Sequence, residues 1–175
     1  MKMKMETGDS MTRVLIKWIM GAVFILLAGC GNHSQRDAAG YQEGVDAYAK
    51  GNFAVALEKF KPLAEGGNMQ AQFNLGVMYR QGQGVPQDDK QAVDWWSKAA
   101  EQGHVEAQDN LGLRYARGQG VAQDWEQADK WFTISAASGN ETALKNKKVV
   151  EMHMPPEKIV GANAMAQVWL EHHKK

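Results

Sequence analysis

One stretch of this chain occurs twice, and the repetition limits the possible fold more than any other feature. Residues 75–104 read LGVMYRQGQGVPQDDKQAVDWWSKAAEQGH, and residues 111–140 read LGLRYARGQGVAQDWEQADKWFTISAASGN. A constant offset of 36 residues is typical of helical units that stack and bury their apolar faces on one another. The sequence therefore predicts an all-α solenoid. The residues shared at this offset include Leu75/Leu111, Gly76/Gly112, Tyr79/Tyr115, Trp95/Trp131 and Gly103/Gly139.

Each full unit of the repeat reads as two helices joined by a loop that contains glycine. In the first copy, Gly82 is placed to end the first helix as a C-cap glycine does. Asp88 can cap the second helix, and Gln91 three residues later completes the pattern of a reciprocal capping box. Gly76 has no side chain, so we expect a neighbouring helix to approach it closely.

Two features of the repeat look like ligand sites but recur with its period. Gly82-Gln83-Gly84 and Gly118-Gln119-Gly120 resemble phosphate-binding loops, yet no third glycine and no Lys-Ser/Thr pair follows. Trp95-Trp96 and Trp131-Phe132 form either an aromatic ligand platform or the packing between helices. The recurrence favours a structural role in both cases. Trp125 is less constrained by the repeat, which makes it a candidate for partial exposure to a partner.

The repeated residues resemble the Sel-one-like repeat, a variant of the tetratricopeptide repeat. The resemblance lies in AQFNLGVMYRQGQGVPQDDKQAVDWWSKAAEQGH and its copy, and it covers residues 40–143 as repeats. It implies a short right-handed α-solenoid of helix-turn-helix units, closed by a C-terminal capping helix. Two departures are small, since Ala122 replaces the usual proline and Ser135 stands where Ala99 does in the other copy.

The pattern weakens towards both ends of the chain. The first unit lacks the Gly-x-Gly-Val loop between its helices, and after Asn140 the charged residues Lys147, Lys148 and Glu151 replace leucine, glycine and tyrosine. Val149, Val150 and Met152 remain to pack on one face.

The predicted segments are a signal peptide (1–29), a lipidated polar tether (30–38), a degenerate first repeat (39–67), two full repeats (68–103 and 104–139), and a partial repeat with a capping helix (140–175).

The N-terminal segment predicts an export signal. Residues 11–30 read MTRVLIKWIMGAVFILLAGC, and Arg13 and Lys17 supply the positive charges that precede an apolar run. That run is too short to span a bilayer as a stable helix. We expect Met11 to be the initiating residue.

The run ends in Leu27-Ala28-Gly29-Cys30, which resembles the lipobox of bacterial lipoproteins. The resemblance implies that Cys30 becomes the mature N-terminus and carries a diacylglycerol. Gly31 in the sorting position implies the outer membrane rather than the inner one. The alternative is a plain secretory signal in which the cysteine occurs by chance.

Several classes of function find no support in the sequence. The 20 basic and 20 acidic residues balance, without the basic stripe of a nucleic-acid-binding protein. Asp88-Asp89 occupies a helix cap, and no serine lies in a nucleophile-elbow sequence, so we predict no enzyme, no cofactor and no catalytic residue. The five histidines lack metal-ligand spacing. We therefore predict no metal site either, although His172-His173 can bind metal adventitiously.

The resemblance places a partner-binding groove on the concave side, lined by positions of each first helix that packing does not fix. Phe73 is either a binding hot spot or packed against a neighbouring helix. Arg80 and Arg117 either pair with a carboxylate of a bound peptide or are solvated. The candidates are Gln70, Phe73, Val77, Arg80 and Gln81 in the first copy, and Glu106, Asp109, Leu113, Ala116 and Arg117 in the second.

The sequence is best interpreted as a bacterial lipoprotein that acts as a protein–protein interaction module in the periplasm. It would bind a helix or an extended peptide in the groove. The resemblance implies roles in envelope assembly, envelope stress or host contact. One alternative is a cell-wall protein that binds peptidoglycan or binds or hydrolyses β-lactams, but relatives linked to that activity carry a disulfide in each repeat, and Cys30 is the single cysteine here. Another is a purely structural envelope protein.

Overall fold

Eight helices and no strand make up residues 35–173, which are the residues that the computed structural model describes. The chain divides into two compact units, Met1–Gly40 and Tyr41–Lys175. In the first unit, residues 35–40 are helical. The predicted signal segment and Cys30 lie outside the described residues. Within the described part, no helix is both long enough and apolar enough to cross a bilayer.

The helices of the second unit pair into hairpins that stack in chain order. α3 packs on α4 and α5 on α6, while α2, α4 and α6 each pack on the helix that follows. This is the all-α helical repeat solenoid that the repetition predicted. The helices are α1 (residues 35–49), α2 (Phe53–Glu65), α3 (Met69–Gln81), α4 (Asp89–Glu101), α5 (Val105–Arg117), α6 (Trp125–Ala137), α7 (Glu141–Glu151) and α8 (Pro156–His172).

Helix α1 begins earlier than the sequence suggested. Residues 35–38, assigned to a polar tether, are already helical. They read QRDA and contain neither glycine nor proline, so nothing in them opposes helix formation even though they lack apolar periodicity.

Side chains at recurring positions cap the N-termini of the helices. Asn68, His104 and Asn140 accept hydrogen bonds from backbone N–H groups in the first turns of α3, α5 and α7. Asp88 and Asp124 do the same for α4 and α6. Because these N–H groups have no partner inside the helix, each cap satisfies a donor that would otherwise be unpaired.

The predicted reciprocal capping box is only half correct. Oδ1 of Asp88 accepts from the N–H of Gln91 at 3.0 Å, as predicted. However, the N–H of Asp88, which the Gln91 side chain would have to accept, donates to the carbonyl of Tyr79 at 2.9 Å. The same bond joins Asp124 to Tyr115 at 3.0 Å. The cap therefore also ties each loop back to the preceding helix.

The glycine loops are helix connections that pack on the preceding unit. Gly82 ends α3 with a left-handed φ of 66°, which confirms it as the C-cap. Gly84 also has a positive φ, and a Cβ there would lie 2.7 Å from the carbonyl oxygen of Phe53 at the start of α2. Both glycines of the loop are thus required by backbone geometry and by close packing.

A glycine in each first helix lies against an aromatic ring of the helix that follows. The close approach expected at Gly76 is confirmed, because a Cβ there would overlap the indole of Trp96. Nε1–H of Trp96 donates to the carbonyl of Phe73 at 3.2 Å, so the buried ring is also hydrogen-bonded. The three pairs are Gly44–Phe60, Gly76–Trp96 and Gly112–Phe132, and all three rings are fully buried.

The last two helices depart from the repeat. α8 packs on α6 and begins with Pro156 in its first turn. Of the three apolar residues expected to pack on one face of α7, Val150 is buried, but Val149 is 57% exposed and Met152 is 83% exposed. That expectation was wrong for two of the three. Successive residues of a helix point about 100° apart, so Val149 and Met152 point away from the face on which Val150 is buried.

Candidate interaction surface on the first helices

The predicted groove residues of α3 share one face of the helix. Phe73, Val77 and Arg80 are spaced by four and three residues, which places them on the same side. The buried residues of α3 lie on the remaining circumference. Gln70, Arg80 and Gln81 are exposed, whereas Phe73 and Val77 are half-buried. We call this side of α3, together with its equivalent on α5, the first-helix face.

Four residues of this face also pack against the core. Phe73 and Val77 pack against the cluster that contains Trp96, and Leu113 and Ala116 pack against the cluster that contains Phe132. Their role in folding explains why these positions are apolar. The other predicted residues divide between two cavities at opposite ends of the helices, except Gln70, which lines neither cavity.

The first cavity, which we call the Phe73 cavity, has a volume of about 620 Å³. Predicted groove residues on both first helices line it, together with the start of α7. This confirms none of them as a binding residue, but it brings Phe73, Glu106 and Asp109 to one place. The lining comprises Phe73, Val105, Glu106, Asp109, Asn110, Ser138, Gly139, Asn140 and Thr142.

Phe73 is held in place by a stacked histidine. Its ring centroid lies 4.4 Å from that of His104, with 15° between the ring planes. Nδ1 of His104 accepts the N–H of Ala107 at 3.3 Å, which requires that nitrogen to be unprotonated. Burial lowers the pKa of His104, and the nearby carboxylate of Glu106 only partly opposes the shift. Phe73 therefore packs within the chain and is also half exposed.

Asp109 lies on the same cavity and carries a perturbed carboxyl group. Burial raises its pKa, and the hydrogen bond that Nδ2 of Asn146 donates to its Oδ1 at 3.1 Å opposes the rise. The bond joins α5 to α7. Asp109 is therefore positioned by its neighbour and can accept a further hydrogen bond from a ligand.

The second cavity, which we call the arginine cavity, has a volume of about 310 Å³ and contains three of the predicted residues. Sequence reasoning missed its most unusual member, Arg114, which is only 3% exposed. Burial lowers the pKa of Arg114, and the positive charge of Arg80 lowers it further. The lining comprises Arg80, Gln81, Gln87, Asp89, Arg114, Arg117 and Gln119.

The signal that marks Arg114 was present in the register of the repeat. Arg114 is 36 residues after Met78, which is fully buried in the core. A cation at a core position of the repeat departs from the pattern, so a comparison of the two copies at every buried position would have found it.

Trp125 is less available than the sequence suggested. It is half-buried, and its ring stacks on His153 with 4.7 Å between centroids and 10° between planes. Met154 packs against the same cluster. A third cavity, of about 570 Å³, lies between α6 and α8 and is lined by Lys130, Ala164, Met165, Val168, Trp169, His172 and His173. Across the described residues, no group of three or more His, Cys, Asp or Glu side chains could hold a metal ion.

Comparisons with known proteins agree with the geometry of the helical hairpins. A sequence model of the Sel1 repeat matches residues 70–104 and 105–140. The crystal structure of a protective antigen present in uropathogenic Escherichia coli strains, which displays an SLR fold, matches with a TM-score of 0.73 and 34% identity over 77% of this chain. A Sel1 repeat protein from Oxalobacter formigenes matches with a TM-score of 0.61 and 25% identity over 74%.

The match covers 30% of the length of the first of these structures and 55% of the second. A comparison with curated proteins gives no match. Sel1 repeat proteins in general mediate protein–protein interactions, and their fold is typically a non-enzymatic scaffold. With two matched repeats and SLR-type structural neighbours, this chain contains two Sel1 repeats within an SLR-type helical fold.

Proposed function

We propose that this chain is a lipid-anchored protein of the cell envelope whose first-helix face binds a helix or an extended segment of a partner protein. The general role of Sel1 repeats supports an interaction module.

The observation that carries the proposal is the position of Phe73. The repeat does not require an aromatic residue there, because the equivalent residue of the next unit is Asp109. Stacking on His104 fixes the ring, while its half exposure leaves part of it free beside a cavity of about 620 Å³. A rigid aromatic side chain at the edge of a cavity is typical of a binding hot spot.

The polar groups around Phe73 suit the backbone and side chains of a bound segment. Glu106, Asp109 and Asn110 line the same cavity from α5. Further along α3, Val77 and Arg80 continue the face at helical spacing. A partner helix that presents apolar residues at the same spacing could lie along it, which is a recurring mode of peptide recognition.

The proposed location rests on Cys30. Its lipobox-like context supports lipidation, and two or more acyl chains anchor a protein far more firmly than one. With Gly31 after the cysteine, we place the protein at the periplasmic face of the outer membrane, in envelope assembly, stress response or host interaction.

In-cell photo-crosslinking tests the binding face. A photoreactive amino acid at Gln70 or Phe73 should capture a protein, identified by mass spectrometry. The same probe at Val168, which is 56% exposed on the α6–α8 cavity, is the matched control. Capture from Val168 but not from Gln70 or Phe73 would contradict the proposal and assign binding to the opposite helices.

A further inference from the structure

The repeat allows three interfaces between successive hairpins to be compared position by position. The first residues of α2, α4 and α6 are 36 residues apart and are Phe53, Asp89 and Trp125. Two of the three interfaces thus begin with a large aromatic side chain. The middle one begins with a carboxylate.

The residues that face these positions in the next helix show the same difference. Met78 in α3 and Val150 in α7 are buried, in the same apolar clusters as Phe53 and Trp125 respectively. In α5 the equivalent residue is Arg114. At the middle interface, the charged residues Asp89 and Arg114 therefore replace the apolar pairs of the other two interfaces. Both line the arginine cavity.

The chain satisfies the buried Arg114 only in part, and the guanidinium group also lies over the ring of Trp96, 5.8 Å from its centroid. Its terminal nitrogen Nη1 donates to Oε1 of Gln119 at 2.6 Å, but the Nε–H of Arg114 is buried and has no hydrogen-bond partner among the described residues. A buried, unpaired donor on a charged group is costly, so such a group is expected to have a ligand or a role. Asp89 lines the same cavity, but no ion pair joins it to Arg114 within residues 35–173.

The other side chains of the cavity also offer donors. The side-chain carbonyl oxygen of Gln119 accepts from Arg114, and the hydroxyl of Tyr48 lies 2.6 Å from Oε1 of Gln83 and 3.3 Å from Oε1 of Gln81. The amide NH₂ groups of Gln119 and Gln81 form no hydrogen bond with another described residue and can donate to a ligand. Arg80 and Arg117 are exposed and form no ion pair with any described carboxylate. The cavity lining thus contains three guanidinium groups and one carboxylate, and its net charge is positive.

From this arrangement we infer that the arginine cavity binds a carboxylate of the partner peptide, either an acidic side chain or the C-terminal carboxylate. The inference rests on the proposed function, since the cavity adjoins the first-helix face at Arg80, one turn from Val77. A planar carboxylate matches the fork of donors on a guanidinium group. Asp89 on the wall repels a doubly charged phosphate more strongly than a singly charged carboxylate.

Fluorescence anisotropy on the full chain in detergent tests the inference. The labelled probes are hexaglutamate and hexaglutamine, each with a free or an amidated C-terminus, so that the four peptides separate side-chain carboxylates from the terminal one. The test variant is R80Q/R117Q, which alters two exposed residues and leaves the buried Arg114 in place. The matched control is K50Q/K61Q, which removes two exposed positive charges that do not line the cavity.

We expect binding of a probe that carries a carboxylate and no binding of amidated hexaglutamine. Loss of charge-assisted hydrogen bonds should weaken binding to R80Q/R117Q at least about tenfold, while K50Q/K61Q binds like the unmodified chain. Equal binding to both variants, or binding of amidated hexaglutamine as tight as that of the acidic probes, would overturn the inference. So would displacement of the probe by inorganic phosphate at lower concentration than by glutarate.

These results are independent of the crosslinking at the first-helix face. If Gln70 or Phe73 captures a partner whose binding R80Q/R117Q does not weaken, the carboxylate site is wrong and the proposed function stands. If neither position captures a partner while the acidic probes still bind at the arginine cavity, the proposed function fails and the site stands.

Discussion

The ammonium group of Lys147 in α7 lies 2.9 Å from Oδ1 of Asp129 in α6, and the side chain of Asp129 is completely buried. The same ammonium group lies 2.6 Å from Oε1 of Glu151 and 3.1 Å from Oδ1 of Asn163 in α8. One lysine therefore joins the last three helices. In the repeat register, Lys147 stands where the two full repeats have the core leucines Leu75 and Leu111.

Removal of Lys147 should strongly destabilise the fold. The variant K147L leaves the buried carboxylate of Asp129 unpaired, and breaking a buried ion pair in this way costs about 3–5 kcal/mol. The double variant K147L/D129V restores the residues of the preceding unit, Leu111 and Val93, and should recover most of that loss. Urea unfolding measures both. A single variant as stable as the unmodified protein would show that the ion pair is not coupled to folding.

Lys147 also predicts how stability changes at high pH. Burial works against its charge, but hydrogen bonds and the charges of Glu151 and Asp129 outweigh that effect and raise its pKa above 10.5. Because the folded pKa lies above the unfolded value, this stabilisation is complete below pH 10.5 and is lost as the pH rises through the folded pKa. Unfolding measured between pH 9 and pH 12, a range of about three units around the lysine pKa, should show a steeper loss for the unmodified chain than for K147L/D129V.

His104 should make stability depend on pH in the mildly acidic range. Its folded pKa is lowered from 6.5 by burial, so its contribution is fully present above pH 6.5 and is lost as the pH falls through the folded pKa. Protonation of Nδ1 removes the acceptor that caps α5. In H104N this dependence should disappear, because Asn68 and Asn140 cap α3 and α7 at the equivalent positions. An unchanged pH profile of the melting temperature in H104N would contradict this account.

Trp96 should be among the residues most important for stability. Deleting a fully buried large aromatic side chain costs roughly 3–5 kcal/mol, and Trp96→Ala also leaves the carbonyl of Phe73 without its donor. Trp125→Ala is the matched control and should cost less, because Trp125 is only half-buried. Thermal unfolding followed by circular dichroism measures both. Equal losses for the two variants would show that the burial of Trp96 is not what stabilises the hairpin.

The two residues of the expected capping box should differ in importance. Asp88→Ala removes a side chain that accepts from Lys90 and Gln91, and the loss of such a cap costs about 1 kcal/mol. Gln91→Ala should be nearly neutral, because the N–H of Asp88 is already bonded to Tyr79. Urea unfolding of the two variants checks the difference. If Gln91→Ala lost as much unfolding free energy as Asp88→Ala, the reciprocal capping box would form after all.

Cys30 should carry the lipid. Metabolic labelling with palmitate should mark the unmodified protein, and the label should be absent from Cys30→Ala, because a thiol at that position is the proposed site of acylation. The matched control is Ser34→Ala, which alters a residue close by in the polar segment and should label normally. If Cys30→Ala retained the label, Cys30 would not be the residue that carries the lipid.

The sequence predicted those parts of the fold that depend on local geometry and on recurrence. Gly76, Gly82 and Trp96 could be assigned because each must satisfy a backbone or packing requirement that the repeat imposes twice. The hydrogen bond from the backbone N–H of Asp88 to the carbonyl of Tyr79 could not be predicted, because it depends on how closely the loop approaches the first helix. The exposure of Val149 and Met152, by contrast, follows from helical geometry, because their directions differ from that of the buried Val150 by about 100° and 200°.

By itself, the 36-residue offset determined the helices, their order and the residues that pack between them, because a repeated unit must bury the same face each time. Only the tertiary structure decided what happens where the units differ. It paired Lys147 with Asp129, stacked Phe73 on His104, and left Arg114 buried beside an open cavity. These contacts join residues from different helices, and their geometry depends on distances across the stacked hairpins that no local pattern encodes.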